Sequence, residues 1–384
     1  MLPFMVFPTD PAPEPAISAA KKSALFGKAV LAARTISQQA AYHDRSGTFP
    51  ENDFRLFQQL GLLRLAIPKK NGGLSTNALT QALCMVKIAE GNASSALALT
   101  MHTAVCAFVS VLGSPGQRGA FFKNTVQNGA LFAAATSEPG SSFSGKFLIG
   151  TTFHQEPGGY RVTGTKQFCT LAGVAEHYLV SGLLDTADTP EAGFLSALIP
   201  ARDVCVQKHW NVLAMRATSS HNISFDAFVP NECVIGTSGE IVRKKLFRNF
   251  GLMYASVYLG VGIAALEYLK ANKKTEENAE EVLLMENLAR AGENLIAQAA
   301  LAFMADDKNA TRLMLQAKYF CTELSLWITQ RAMRIVGGNS IRCELPLERW
   351  TREALIGPIM PPSTERILKI RFGEESPPLE FAKK

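Results

Sequence analysis

Apolar positions in the first third of the chain recur at helical spacing. Between residues 16 and 44, Leu25, Ala29, Leu31, Ala32 and Ile36 form one stripe, with Lys21, Lys22, Lys28 and Arg34 off it, and this predicts an amphipathic helix. Pro50 opens a second, striped by Phe54, Phe57, Leu60 and Leu63, and Gly72-Gly73 closes the connection after Ile67-Pro68. Between Leu131 and Leu183 the pattern changes to short runs such as Tyr160-Arg161-Val162 and His177-Tyr178-Leu179-Val180. Breakers at Pro139-Gly140, Gly158-Gly159 and Gly164 bracket them, which predicts strands joined by tight turns. The β character persists through residues 194–199 and 223–229, and the latter strand is led in by Met215 to His221. From Glu240 onward three helical blocks follow, at 244–272, 280–305 and 308–335, with the charge run at 273–277 read as a solvated turn. The expected fold class is α+β: an N-terminal helical domain (1–130), a small central β domain (131–238) and a C-terminal helical bundle (239–384).

Two stretches approach the length of a membrane span. Residues 93–113 run 21 positions without a formal charge, and residues 250–269 contain one, Glu267. Ser94, Ser95, Thr100, His102, Thr103 and Ser110 dilute the first, and Gly113-Ser114-Pro115 ends it, so both read as helices buried in a large bundle and no membrane is expected. The N-terminal segment to Pro15, with prolines at 3, 8, 11, 13 and 15 and no basic start, reads as an irregular arm and not a secretory signal.

Composition narrows the function classes. A chain of 384 residues, 47% hydrophobic, supplies a sizeable core. The formal charge of +6 is spread along the chain without a basic block, so no nucleic-acid partner is expected and an anionic small ligand is compatible. Seven cysteines without a Cys-x-x-Cys give neither a disulfide framework nor a zinc site, which points to a reducing, cytoplasmic setting. The six histidines show no paired ligand spacing, so no metal is assigned. Gly260-Val261-Gly262-Ile263-Ala264-Ala265 fits a dinucleotide fingerprint on paper, but lacks the preceding strand and the later acid. Close helix–helix approach is the better reading, with a Rossmann enzyme the weaker alternative.

Ser137-Glu138-Pro139-Gly140, followed by Lys166-Gln167-Phe168-Cys169-Thr170, resembles the acyl-CoA dehydrogenase family of flavoproteins. So do Gly337-Gly338-Asn339 and the stretch from Leu345 to Ala354; the resemblance covers roughly residues 45–372. It implies FAD, with FMN as alternative, held by Ser137 and Thr170 through hydroxyls, by Phe168 packed on the ring, and by Ser363. Gly337, Gly338 and Asn339 would touch a flavin held by a neighbouring subunit. It also implies a small-molecule substrate, an acyl thioester, and assembly as a homo-dimer or homotetramer, which the long apolar C-terminal helices favour independently.

The sequence departs from the family at two places. The catalytic glutamate position is occupied by Pro361, and the alternative position near Phe250 lies in a stretch, 244–259, without a carboxylate. Glu365 is the nearest remaining candidate base. After Tyr268, where the family has an arginine for the flavin pyrophosphate, stand Lys270, Lys273 and Lys274, point charges without a planar fork. Three readings follow: oxidation of an acyl thioester at Cα–Cβ with an unusual base; a reduced-flavin monooxygenase; or a non-catalytic or partner-dependent subunit.

Overall fold

The computed structural model describes residues 13–140, 147–271, 277–371 and 381–383. Ahead of the β region lie α1 (Glu14–Lys21), α2 (Ala24–Ser46), α3 (Glu51–Leu60), α4 (Ala78–Gly91), α5 (Ala93–Leu112) and α6 (Pro115–Asn128). The helix expected to run unbroken from residue 16 is two helices. Ser23 takes an extended conformation and accepts from the Phe26 amide, which ends one helix and caps the next. The arm likewise gives way to helix at Glu14, because Pro15 needs no amide donor in a first turn; residues 1–12 lie outside the described residues.

The strands run from β1 (Phe132–Ala135) through β2 (Phe147–Ile149), β3 (Thr152–Glu156), β4 (Gly159–Cys169), β5 (His177–Leu184), β6 (Phe194–Pro200) and β7 (Cys205–Gln207) to β8 (His221–Pro230), with β9 (Phe381–Lys383) paired to β2. A short helix, α7 (Pro190–Gly193), precedes β6. β7, β8, β4 and β3 form an antiparallel ladder, which continues through parallel pairing of β3 with β5; β1 joins β5 in parallel and β6 antiparallel. Pro157-Gly158 turns β3 into β4, and Gly158 at φ +84° supplies the left-handed residue that turn requires.

After the strands come α8 (Glu240–Arg243), α9 (Arg248–Lys270), α10 (Ala279–Met304), α11 (Ala310–Val336), α12 (Pro346–Ala354) and α13 (Thr364–Arg371). α9 starts at Arg248 and not at 244, since Lys245 sits at φ +53° and breaks the run. Most of the expected charged turn, residues 273–276, lies outside the described residues.

α9 is the hub, packed against α4, α5, α10, α11 and α12. A Cβ on Gly260 would stand 2.3 Å from the Val86 carbonyl oxygen, and one on Gly262 would stand 3.1 Å from the Ser325 Cα, so these glycines admit α4 and α11 to close range and make no dinucleotide loop. The two apolar helices are core elements, with 78% and 83% of their windows buried. The polar groups inside α5 have work there. His102 Nε2 donates to the Leu63 carbonyl at 2.9 Å and Nδ1 accepts the Phe132 amide at 3.1 Å, which ties α5 to the entry of β1. Burial holds this imidazole down at about 4, so it stays neutral. Arg352 on α12 joins all three regions: it pairs with Asp44 on α2 at 2.6 Å, with Glu348 at 2.7 Å, and donates to the Leu213 carbonyl at 2.9 Å.

Candidate functional site

The bend after β1 and the last residues of β4 are fastened to each other. The Ser137 carbonyl accepts the Gln167 amide at 2.9 Å, and Gln167 Nε2 returns to the Glu138 carbonyl at 2.8 Å. Beneath them lies a buried ion pair, Lys166 Nζ to Glu138 Oε1 at 2.7 Å. The same carboxylate accepts from the Gly150 amide at 2.7 Å, and from the Thr151 amide and hydroxyl at 3.0 and 2.7 Å. Burial alone would raise Glu138, but the Lys166 ammonium and these donors hold it below its ordinary value. The motif's charged residues thus fix the loop from inside, which sequence reasoning missed. Alternation along β4 carries the signal: Lys166 shares a face with Val162, so it points inward and needs a partner.

Between Lys166 and Cys169 the register against β8 shifts. The bulge reverses the parity of the strand, so Cys169 is buried while Phe168 stands 57% exposed at φ +55°. Trp210 braces it edge-on at 6.3 Å and donates Nε1–H to the Met215 carbonyl at 3.1 Å. Left-handed non-glycine residues gather here: Phe168 and Leu171 on one loop, Met215 and Ser219 on the facing one. Leu171 and Ala172 amides bond the Thr218 and Ser219 carbonyls at 3.2 and 3.0 Å, which locks the loops together. Thr170, buried, meets Ser220 Oγ at 2.9 Å, and Ser220 meets Thr218 at 2.7 Å. An exposed aromatic ring beside a buried hydroxyl, on a strained loop pair, offers an apolar face for a planar ring system with a polar group at its side.

The structure therefore brings Ser137, Phe168 and Thr170 together. Gly337, Gly338 and Asn339 form a separate turn at the end of α11, where Gly337 takes φ +76° and a Cβ on Gly338 would meet nothing within 4 Å. Their bonding stays local, with the Asn339 carbonyl accepting from Arg342 at 3.2 Å. Ser363 caps α13, accepting the Arg366 amide at 3.3 Å, and Glu365 lies exposed in that helix's first turn. Pro361 is exposed just ahead. Lys270 is engaged with Glu267 at 3.0 Å and Glu286 at 2.9 Å; Lys273 and Lys274 lie outside the described residues.

The acyl-CoA dehydrogenase N-terminal domain matches residues 29–128 and the C-terminal domain matches residues 276–370. The chain belongs to the acyl-CoA dehydrogenase family, a family of flavin-binding oxidoreductases. It is 26% identical over 360 residues to the putative acyl-CoA dehydrogenase YdbM of Bacillus subtilis, covering 86% of this chain and 91% of that one. It is 27% identical over 369 residues to the amino sugar nitrososynthase RubN8 of Streptomyces rubradiris, covering 86% and 84%. Among solved structures, TdsC of a Paenibacillus species with FMN and indole superposes with a TM-score of 0.81 at 22% identity, covering 91% and 97%. Butyryl-CoA dehydrogenase of Megasphaera elsdenii gives 0.82 at 19%, covering 96% and 99%. These structural likenesses fix the fold, helical, then sheet, then helical.

Proposed function

We propose that this chain is a flavin-dependent monooxygenase, taking up reduced flavin and oxygen to act on a small substrate, and that it works without a base for an α-proton. The reading rests on the family resemblance: counted on from Arg352-Glu353-Ala354, the catalytic glutamate position falls at Pro361, and residues 244–259 offer no carboxylate in its place. Removal of an α-proton from an acyl thioester depends on such a base, commonly worth about 10²–10⁴-fold in rate. A reduced flavin supplies its chemistry with oxygen and needs none. The likeness to RubN8, named a nitrososynthase, and to TdsC, described as a dibenzothiophene monooxygenase, supports the same reading. FMN suits it better than FAD, because Lys270 is engaged by two glutamates and no arginine fork follows Tyr268 for a pyrophosphate.

Oxidation of an acyl thioester at Cα–Cβ, with FAD, is the second reading. The likeness to YdbM and butyryl-CoA dehydrogenase supports it, and Glu365 would have to serve as its base. Two assays of the purified protein separate the two, one with reduced flavin in the presence of oxygen and one anaerobic with oxidised flavin and an acyl-CoA. The first expects oxygen consumption on adding reduced FMN with substrate and no bleaching of oxidised flavin by acyl-CoA; bleaching by an acyl-CoA establishes the second. A protein that takes up neither FMN nor FAD overturns both. Assembly as a homo-dimer or homotetramer goes with either reading, supported by Ile341, 71% exposed just past Gly337-Gly338, and by Leu283 and Leu284, exposed on α10. Sedimentation across a dilution series tests it.

A further inference from the structure

A cavity of about 400 Å³ opens between α3, the end of α6 and the loop from β4 to β5, and none of Ser137, Phe168 and Thr170 lines it. Its floor is apolar: Phe49 and Phe54, with ring centroids 4.8 Å apart, and Leu131 and Val174 beside them. Its rim is polar, and the carboxylate of Glu176 sets the orientation of the amides next to it. A carboxylate only accepts, so Asn124 turns Nδ2 to Glu176 and Oδ1 to Nδ2 of Asn128. Asn128 is left with Oδ1, which takes no donor among the described residues. Gln58 repeats the arrangement: Nε2 donates to the Gln127 carbonyl at 3.4 Å, and Oε1 stands where a Cβ on Gly129 would come within 2.6 Å. The backbone of Glu176 is pinned on both sides, its amide to the Leu131 carbonyl and its carbonyl to the Ala201 amide, each at 2.9 Å. The rim is thus a preset group of acceptors.

Charge points the same way. Two carboxylates line the cavity, Glu51 and Glu176, against one cation, Arg55. Arg55 is committed along its own helix, to Glu51 at 3.2 Å and to Asn52 at 3.1 Å, so it balances Glu51 and leaves Glu176. Burial holds the neighbouring His177 below its ordinary value, so its ring is neutral near pH 7. We infer that this cavity binds a small organic ammonium ion, an arylalkyl- or alkylamine, with its apolar body on Phe49 and Phe54 and its charged head among Glu176, Asn128 and Gln58. An ammonium brings three donors and no acceptor, which a rim of acceptors satisfies. The two aromatic rings add cation–π attraction. A carboxylate or phosphate in the same place would meet the Glu176 charge, and an alcohol would bring one donor to three acceptors. The inference does not depend on the flavin reading, since the residues that carry it are not those assigned to the cofactor.

Three probes of one shape and different charge test it: 2-phenylethylamine, 2-phenylethanol and phenylacetate, titrated into the full chain at pH 7 and followed by calorimetry and saturation-transfer NMR. The amine is expected to bind about tenfold or more tightly than the alcohol, the size of a charge-assisted hydrogen bond, and phenylacetate is expected not to saturate. Glu176→Gln brings the amine down to the affinity of the alcohol. Asn128→Asp, at an exposed position, adds a second charge and tightens the amine severalfold. One variant loses and the other gains, so a folding defect cannot imitate the pair. Phe168→Ala leaves amine affinity as in the wild type. Three probes that bind alike, a wild type that takes up no amine, or two folded rim variants with unchanged affinity overturn the proposal. So does loss of amine binding in Phe168→Ala, which would put the amine at the candidate flavin face. The monooxygenase reading is judged separately, by oxygen consumption.

Discussion

Lys166 and Lys318 are both buried, and both hold a loop named by the sequence motifs, yet their surroundings are opposite. Lys166 fastens the Ser137 to Pro139 bend with Glu138 at 2.7 Å and the Ser181 carbonyl at 2.5 Å. Lys318, on α11, donates to the Gly357 carbonyl at 3.1 Å, four residues ahead of Pro361, with Glu323 and Glu365 acting as more distant charges. Burial pushes Lys318 down to about 7. The β side of the site is thus built on a satisfied ion pair and the C-terminal side on an amine that loses its proton near neutrality. A satisfied buried pair resists change in pH but not loss of a partner; an under-paired charge behaves the other way round.

Breaking the satisfied pair has the largest expected effect. Lys166→Met leaves Glu138 charged and buried, and costs about 3–5 kcal/mol in chemical denaturation. Lys166→Met with Glu138→Leu recovers most of that. A single variant within about 1 kcal/mol of wild type shows that the hydrogen bonds from Gly150 and Thr151 hold the loop without the lysine. Glu138 is held below its ordinary 4.5, so its stabilisation is present above that value and is lost as pH falls through the folded one.

The under-paired side is sharpened by pH. Lys318 titrates near 7 folded against 10.5 ordinarily, so between these values the folded chain binds fewer protons and stability climbs with pH. Glu353 on α12 mirrors it: burial raises it to about 7 from 4.5 against the opposing Arg349, 3.9 Å away, so its contribution falls as pH rises over that range. Lys318→Met is expected to raise stability at pH 6–7 by about 1–3 kcal/mol and to remove the climb above pH 7. Glu353→Gln flattens the fall between 4.5 and 7. Denaturation midpoints from pH 5 to 9 decide it, and curves parallel to wild type for both variants refute the assignment.

The same contrast explains what was legible in the sequence. The order of helices, strands and helices follows from periodicity, because α3, α10 and the strands of the ladder each bury one face. Phe168 and Thr170 were named as candidates through their motif. Their geometry was not legible, since the bulge after Lys166 reverses strand parity and no local pattern announces it. Ser220 and Thr218 lie in the segment that leads into β8, and the hydroxyl contacts that join them to Thr170 exist only once β4 and β8 are paired. Lys318 sits in an amphipathic helix whose apolar neighbours read the same whether the lysine snorkels or is buried, and Arg352 meets Asp44 across 308 positions of chain.

The smallest effect on the protein, and the cleanest on the site, is expected at Phe168. Its ring is more exposed than buried, so Phe168→Ala should leave stability within about 0.5 kcal/mol of wild type. Loss of stacking should weaken flavin binding about tenfold, the upper end of what an aromatic contact contributes beyond its area. Phe168→Gly separates the two causes. Alanine keeps the Cβ and therefore the left-handed strain at φ +55°, whereas glycine relieves it by roughly 1 kcal/mol. Glycine should then be the more stable variant while losing flavin to the same extent. Equal flavin affinity in wild type and both variants would move the ring away from Phe168; equal stability of the two variants would mean that Trp210 and the bulge, and not the Cβ, set the conformation of this residue.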